Sequence, residues 1–372
     1  MRHEEIRQAV RRFAAEQLAP NAARWDREKL FPREALKGLA AMGLYGVAIA
    51  EEWGGAGLDY TALAVACEEI CAGDCATGTI VAVNNLVCGI VAGFGDESQK
   101  NSFLKPLAQG RMLGAFALTE PQVGSDAAAI TTRAERQGAH YVLNGVKQFI
   151  TSGKNADIAV VFAVTQKDAG KKGISAFLVP TSSPGYVVAR IEEKTGQRAS
   201  DTAQIVLENC KTEHLLGKEG LGYRIALANL ESGRINVAAQ ATGVARAALD
   251  AALAYARERK SMGKRLIEHQ AVNFRLADMA TGVEAARQLY LHAAALRDAG
   301  EPCIKEASMA KLFASEMAEK VCSDAIQIHG GYGYVADFPV ERLWRDVRVT
   351  QIYEGASDIQ RLVIGRTLGE GA

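Results

Sequence analysis

The sequence predicts an α+β protein in which two helical regions flank a β-rich region. Apolar residues recur at helical spacing up to about residue 112 and again after about residue 213. Between these regions they form short runs separated by glycine, proline and serine, which is typical of strands. We therefore expect an N-terminal helical bundle over 1–112, a β-barrel or sandwich over 113–212 and a C-terminal helical bundle over 213–372.

Composition and charge exclude several classes of protein. The 372 residues include 43 basic and 43 acidic side chains without a basic stripe, which argues against nucleic acid as the main partner. A hydrophobic content of 48% is typical of a globular protein. The N-terminus does not resemble a signal peptide, and we expect no membrane-spanning segment. Seven cysteines without a disulfide-like pattern predict a reducing, cytoplasmic compartment.

In the N-terminal region, helical spacing is clearest from Ile6 to Leu18, and we expect this first helix to end at Pro20. A second helix is predicted to begin near Leu36. Further helical segments follow at Leu63–Ile70, Thr79–Val91 and Ser98–Leu107.

In the central region, the strongest local pattern is Asn144-Gly145 between two apolar runs, which predicts a β-hairpin with a type I′ turn. The other predicted strands are Gly114–Leu118, Ile158–Val164, Ile174–Val179, Tyr186–Ala189 and Gln204–Leu207.

The C-terminal region predicts three long, alanine-rich helices over Ala226–Glu258, Gln270–Ala299 and Lys305–Ile328. Each carries apolar residues on more than one side, which is typical of a bundle that also packs against other subunits.

One carboxylate near the C-terminus, Glu354, is a candidate general base. It lies between Tyr353 and Gly355, just before a helix for which Ser357 and Gln360 predict a capping box. A carboxylate held there can accept a proton once substrate excludes water. The alternative is a charge that only stabilises the helix N-terminus, and the local sequence alone favours that alternative.

Several short motifs occur along the chain in an order and spacing that together resemble a known protein family. They are Leu118-Thr119-Glu120-Pro121 with Gly124-Ser125-Asp126, Asn144-Gly145 through Phe149-Ile150-Thr151, Gly233-Arg234-Ile235, Glu258-Arg259-Lys260 with Gly263 and His269-Gln270, Gln327-Ile328-His329-Gly330-Gly331, and Ile352-Tyr353-Glu354-Gly355. Together they resemble the acyl-CoA dehydrogenase family of flavoproteins over nearly the whole chain. The resemblance also implies that the C-terminal domain is similar to a four-helix bundle, and it reverses the local preference at Glu354.

The resemblance implies an FAD enzyme that oxidises an acyl-CoA thioester to the trans-2-enoyl-CoA. Glu354 would remove the α-proton while the β-hydrogen leaves as hydride to flavin N5. The backbone N–H of Glu354 and a ribityl hydroxyl of FAD would hold the thioester oxygen. Tyr353 and Gly355 would contact the substrate.

The resemblance places one wall of the flavin site in the β region. Main-chain groups of Phe116, Leu118 and Thr119 and the Thr151 hydroxyl would bond to the isoalloxazine ring, and Phe149 would lie against its face. Ser125 would meet phosphate oxygens and the substrate. Without the resemblance, Phe149 would be assigned to the core, and Thr119, Thr151 and Ser125 to turns or caps.

A second set of predicted FAD contacts would be contributed to a neighbouring subunit, so the resemblance implies an oligomer, a tetramer by expectation. Arg259 would bind the pyrophosphate, because guanidinium groups suit phosphate oxygens. The other members of the set are Ser261, Gln270, Gln327, Gly330 and Gly331.

Further expectations concern the substrate and two departures from the family. Arg234, with Glu231 nearby, would position the acyl-CoA. Gly233 stands where some relatives carry their base, which leaves Glu354 as the base. The family commonly has threonine at Ala356 and a longer side chain at Asp358, so we expect both to lie beside FAD with a weaker contact.

The electron acceptor would be an electron-transferring flavoprotein. The sequence around Val83-Asn84-Asn85 is most similar to the short-chain and short-branched-chain members. The alternatives within the fold are an acyl-CoA oxidase and a nitroalkane-type oxidase that uses O2. A DNA-binding relative is an alternative of another class, but such relatives have a basic C-terminal region and this chain ends in Leu368-Gly369-Glu370-Gly371-Ala372.

Overall fold

The structure is a computed structural model that describes residues 2–369, so the chain end at Glu370–Ala372 lies outside the described residues. It has the predicted order of a helical region, a β region and a second helical region, and the predicted fold class is confirmed. The N-terminal helices are α1 (Arg2–Phe13), α2 (Ala19–Glu28), α3 (Arg33–Ala41), α4 (Tyr60–Gly73), α5 (Cys75–Phe94), α6 (Glu97–Gln99) and α7 (Lys105–Ala108).

The expected helix end at Pro20 is wrong, because the chain stays helical through it to Glu28. A π-helical turn over Ala14–Leu18 joins α1 to α2, and the N–H of Ala19 donates to the carbonyl of Ala14. Pro20 stands in the first turn of α2, where the missing N–H costs little.

By length and composition alone, the helix α5 could cross a membrane. Its most apolar window has a mean hydropathy of 1.7, but 83% of that window is buried within the protein. Asn84 and Asn85 on this helix are buried too, and their side-chain amides donate to the carbonyls of Tyr45 and Leu44 at 2.9 and 2.8 Å. The helix α5 therefore has the character of a core helix.

The β region forms one sheet of eight strands. They are β1 (Gly114–Ala117), β2 (Arg133–Gln137), β3 (His140–Thr151), β4 (Ile158–Val164), β5 (Ile174–Pro180), β6 (Tyr186–Ile191), β7 (Thr202–Thr212) and β8 (His214–Leu216). The sheet order is β6-β7-β3-β2-β4-β5-β8, and β1 pairs in parallel with β4. The central strands β4 and β5 are almost entirely buried, which explains their continuous apolar runs.

The predicted hairpin turn at Asn144-Gly145 is wrong, since both residues lie inside the continuous strand β3. The chain reverses instead between Gln137 and His140, which face each other across β2 and β3. A side chain at Gly145 would come within 2.7 Å of the Thr132 backbone, and the pairing with β7 is irregular at this point. The Asn-Gly pair therefore marks a close approach of two chain segments and a bulge.

The C-terminal region contains the helices α8 (Gly222–Glu258), α9 (Gln270–Asp298), α10 (Ile304–His329), α11 (Val340–Val347) and α12 (Ser357–Gly369), with a short ribbon of β9 (Lys260–Ser261) and β10 (Lys264–Arg265). The helices α8, α9 and α10 pack against one another, and α12 packs on α10. Buried alanines line α8, so its neighbours approach closely. The helix α4 also packs on α8, and its buried Glu68 accepts a hydrogen bond from Arg287 of α9 at 2.8 Å. The two helical regions thus share one core.

Candidate active site

The candidate base lies in a strained turn between a 3₁₀ segment (Arg348–Gln351) and α12. Glu354 has a φ of 52° and Gly355 a φ of 88°, so two consecutive residues are left-handed. Glycine adopts this conformation freely, whereas glutamate does so at a cost of about 1–3 kcal/mol. Such strain persists only where surrounding contacts hold the backbone, and functional sites are where it concentrates.

The carboxylate of Glu354 points into the helical bundle and lies directly on Gly233 of α8. A methyl group at Gly233 would come within 2.4 Å of Glu354 Oε2 and 3.1 Å of its Cδ. The space that a side chain at 233 would fill is therefore the space that the carboxylate occupies. Oε2 is shielded from solvent and has no hydrogen-bond partner among residues 2–369.

Two cations, Arg234 and Lys311, act on this carboxylate. Burial raises the pKa of Glu354 above its ordinary value, and the charges of Arg234 and Lys311 oppose that rise. Arg234 is 4% exposed, and its guanidinium donates to the Ser308 hydroxyl at 3.2 Å. Burial lowers the pKa of Lys311 to about 8, while the charge of Glu354 acts in the other direction. A carboxylate with a raised pKa and a shielded oxygen is suited to accept a proton from a weak acid.

The predicted capping box at Ser357 is wrong in its contacts. The amide Nε2 of Gln360 donates to the carbonyls of Gly355 at 2.8 Å and Glu354 at 3.2 Å, while Ser357 Oγ is buried without a partner in the described chain. Gln360 therefore supports the turn itself. The Glu354 side chain points toward Gly233. This orientation argues against the alternative that the Glu354 charge only stabilises the N-terminus of α12.

The candidate flavin-binding residues Phe116, Leu118 and Thr119 lie at the end of β1 and directly after it, each partly exposed. Ser125, further along this connection, is exposed. The connection is held by an ion pair that the sequence did not predict. Lys147 and Glu120 are both buried, and Lys147 Nζ lies 2.8 Å from Glu120 Oε1 and 3.1 Å from the carbonyl oxygen of Leu118.

The assignment of Phe149 to the core, which the residues alone favoured, is wrong. The residue is 62% exposed and has a left-handed φ of 59°. The pairing of β3 with β7 is irregular between Lys147 and Ile150, so the strand turns this ring away from the interior. The neighbouring Thr151 is partly exposed. An exposed aromatic ring on strained backbone offers a stacking surface to a planar ligand.

The segment between β6 and β7 connects this face of the sheet to the Glu354 turn. Near its end, the carbonyl of Asp201 accepts a hydrogen bond from the N–H of Ser152, next to Thr151, at 2.9 Å. Gln197 donates to the Tyr353 hydroxyl at 3.4 Å, and that hydroxyl donates to Gln240 of α8 at 2.8 Å. Tyr353 is thus fixed from two sides and orients the turn by its side chain.

The candidate substrate residue Glu231 lies one helical turn before Arg234 on α8. It is partly exposed and accepts a hydrogen bond from Arg297 at 3.3 Å. Glu231, Tyr60 and Arg297 line a surface cavity of about 350 Å³ that does not include Glu354. The charge of Glu231 is therefore paired with Arg297, and it also acts on Arg234.

Six candidate cofactor residues are not brought to Glu354 within the chain. They are all exposed: Arg259, Ser261, Gln270, Gln327, Gly330 and Gly331. On α10, Gln327 lies about 24 Å along the helix from Lys311, which contacts the Glu354 turn. Ala356 and Asp358, in contrast, directly follow that turn, and the Asp358 side chain is 96% exposed.

Several of these features fit FAD. The Phe149 ring offers a stacking face, and Ser357 Oγ and Gln360 Oε1 are buried polar atoms without a partner in residues 2–369. The N–H of Glu354 donates no hydrogen bond within the same residues, so it is free to meet a ligand oxygen.

Sequence reasoning missed three residues of the site, because their partners are distant along the chain: Lys311, Lys147 and Gln197.

Comparison with family models covers almost the whole chain. The N-terminal domain model of acyl-CoA dehydrogenases matches residues 1–111, the middle domain model matches 115–210 and the C-terminal domain model matches 220–369.

Individual proteins match over similar lengths. The mitochondrial short-chain specific acyl-CoA dehydrogenase of Rattus norvegicus is 47% identical over 97% of this chain and 89% of its own. Butyryl-CoA dehydrogenase from Megasphaera elsdenii has a TM-score of 0.96 at 39% identity, covering 98% of this chain and 97% of its own. A chain solved in work on the electron transferring flavoprotein of Acidaminococcus fermentans has a TM-score of 0.97 at 44% identity, covering 98% and 97%.

Proposed function

The chain belongs to the acyl-CoA dehydrogenase family, and we propose that it removes the α- and β-hydrogens of a short-chain acyl-CoA with Glu354 as the base. The observation that carries this proposal is the Glu354 carboxylate, which lies against Gly233 with Oε2 shielded from solvent and is acted on by the charges of Arg234 and Lys311. A shielded carboxylate with a raised pKa is suited to remove a proton from a weak acid.

The substrate thioester would lie next to the Glu354 turn. An α-C–H bond is weakly acidic, so the base needs donors that hold the thioester oxygen as negative charge develops on it. The N–H of Glu354 supports this role, since no residue from 2 to 369 accepts its hydrogen bond. Tyr353 and Gly355 flank the base and contribute by fixing its direction.

Family members are FAD-dependent, and the residues of this chain fit that cofactor. A bound FAD would supply the acceptor for the β-hydrogen, which leaves as hydride. Phe149 would stack on the flavin ring, Thr151 would hydrogen-bond to its edge, and main-chain groups of Phe116, Leu118 and Thr119 would line the same wall. Ser125 would reach toward phosphate and substrate, and Ala356 and Asp358 would lie at the nucleotide end.

The six exposed residues of Arg259, Ser261, Gln270, Gln327, Gly330 and Gly331 would bind the FAD of a neighbouring subunit. The position of Gln327, about 24 Å along α10 from Lys311, supports this arrangement. Arg259 lies 5.7 Å from the ring centroid of Tyr332 and is exposed, so its guanidinium is free to meet a pyrophosphate. A tetramer would supply these shared sites.

The electron acceptor would be an electron-transferring flavoprotein, and the chain length of the substrate would be short. The relatives named short-chain specific and butyryl-CoA dehydrogenase support the second point. A series of acyl-CoA thioesters from four to sixteen carbons, tested by anaerobic bleaching of the bound flavin, measures the preference. The highest kcat/KM at four to six carbons is expected, and a maximum at twelve or more would contradict the short-chain assignment.

The central experiment replaces Glu354 by glutamine, which keeps the shape but cannot accept the proton. We expect retained FAD and a fall in kcat of at least about a hundredfold. Glu306→Gln is a matched control, since Glu306 is a glutamate of α10 that pairs with Lys305 at 3.2 Å. Turnover by Glu354→Gln close to that of the control would exclude Glu354 as the base.

Rapid peroxide formation in air by the unaltered protein would identify an oxidase instead.

A further inference from the structure

Lys311 of α10 is buried without an obvious structural need. Its side chain is fully shielded from solvent, and its Nζ donates to the carbonyl of Gly355 at 2.6 Å. A buried ammonium loses several kcal/mol of hydration, so a lysine in such a place requires compensation. The charged groups that act on it are Glu354, Arg234 and Glu316.

A hydrogen bond to Gly355 is not sufficient to account for the lysine. The same carbonyl already accepts a hydrogen bond from Gln360 at 2.8 Å, so the turn has a neutral donor in place. What Lys311 adds is a positive charge beside the base. Arg234 is the other cation that acts on Glu354, and the Arg234 guanidinium is shared with the hydroxyl of Ser308 and the charge of Glu231.

We propose that Lys311 is a positioning residue for the proton transfer: it holds the strained Glu354 turn, and its charge keeps the Glu354 carboxylate ionised until substrate arrives. This inference rests on the proposed role of Glu354 as the base. Burial alone would favour the protonated, inactive carboxyl, and a fixed cation opposes that tendency.

The sign of the pH effect follows from the charges. Removal of the Lys311 charge leaves Arg234 as the remaining cation acting on Glu354, so the carboxyl holds its proton up to a higher pH. With a pKa of about 8, Lys311 is itself protonated at neutral and acidic pH, so its charge is present on the acidic side of the profile. The acidic limb of the pH–rate profile should therefore move upward when the charge is lost.

The test compares three substitutions in the FAD-loaded enzyme. Lys311→Met removes the charge and the donor, Lys311→Gln removes the charge but keeps an amide donor, and Lys311→Arg keeps the charge. Lys320→Met is the control, because Lys320 lies on the same helix, is exposed and pairs with Asp324. FAD content and thermal unfolding establish that each variant is folded.

The readout is the exchange of α-deuterium from an acyl-CoA analogue in which sulfur replaces the β-carbon. This change blocks hydride transfer, so exchange with solvent reports proton transfer to the base alone. We expect Lys311→Met and Lys311→Gln to shift the acidic limb upward by about one pH unit, with about tenfold slower exchange below it. Lys311→Arg and Lys320→Met should keep the original limb.

Two results would overturn the inference. One is an unshifted acidic limb in Lys311→Gln, whatever the loss in rate, since that result would make the lysine a structural residue only. The other is an equal shift in Lys311→Arg. Should Lys311→Met fail to fold, Lys311→Gln decides the matter. Failure of the proposed function is recognised separately, because Glu354→Gln would then exchange α-deuterium normally.

Discussion

The contact between Gly233 and Glu354 predicts that a methyl group added at residue 233 lowers the activity of the enzyme without lowering its stability. In Gly233→Ala the new Cβ would lie 2.4 Å from Glu354 Oε2, whereas an ordinary contact is at least 3.4 Å. The carboxylate must therefore move by about 1 Å, and displacement of a reacting group by that amount costs about a hundredfold in rate. The barrier would rise by about 2.7 kcal/mol. The backbone tolerates alanine, because Gly233 lies inside the helix α8, where alanine is favoured by about 1 kcal/mol.

The assay measures kcat, KM and FAD content beside urea unfolding. We expect kcat to fall about a hundredfold, with bound FAD retained and a free energy of unfolding that is unchanged or higher by up to about 1 kcal/mol. Gly93→Ala is the matched control, since Gly93 is also helical but a methyl group there would meet no atom within 4 Å. A Gly233→Ala enzyme with the kcat of the control would show that the carboxylate does not act from this position.

Two further predictions concern the flavin wall and the shared site. Lys147→Met leaves Glu120 buried without its cation and should cost about 3–5 kcal/mol in urea unfolding, whereas the exposed Lys154→Met should not. Burial raises the pKa of Glu120, but the charge of Lys147 and hydrogen bonds outweigh the effect of burial and lower the pKa to about 2. The stability that this ion pair contributes is therefore present above the ordinary pKa of glutamate and is lost as the pH falls toward 2. Arg259→Gln should weaken FAD binding about ten- to a hundredfold without lowering chain stability, as measured by flavin retention on dilution. Equal retention in Arg259→Gln and Arg257→Gln would contradict a pyrophosphate contact at Arg259.

The spacing of apolar residues predicted the helices and strands well wherever the structure depends on neighbouring residues. The three long C-terminal helices and the strands β4 and β5 follow the predicted segments closely, because long helical spacing and short apolar runs bounded by turn residues are both local signals. The boundaries at residues 112 and 212 and the residue-by-residue site assignments stay predictions. The failures occurred where a distant segment overrides a local preference, as at Gly145, which stands against Thr132.

The sequence by itself determined the order of helical and β regions, because periodicity is a property of neighbouring residues. Its motifs, taken together over the chain, also indicated the family, and that resemblance pointed to Glu354 as the candidate base. Only the tertiary structure decided that the Glu354 carboxylate lies against Gly233, that Lys311 donates to the carbonyl of Gly355 and that Phe149 faces outward. The physical reason is that the proton affinity of Glu354 depends on burial and on charges from α8 and α10, which lie far away along the chain.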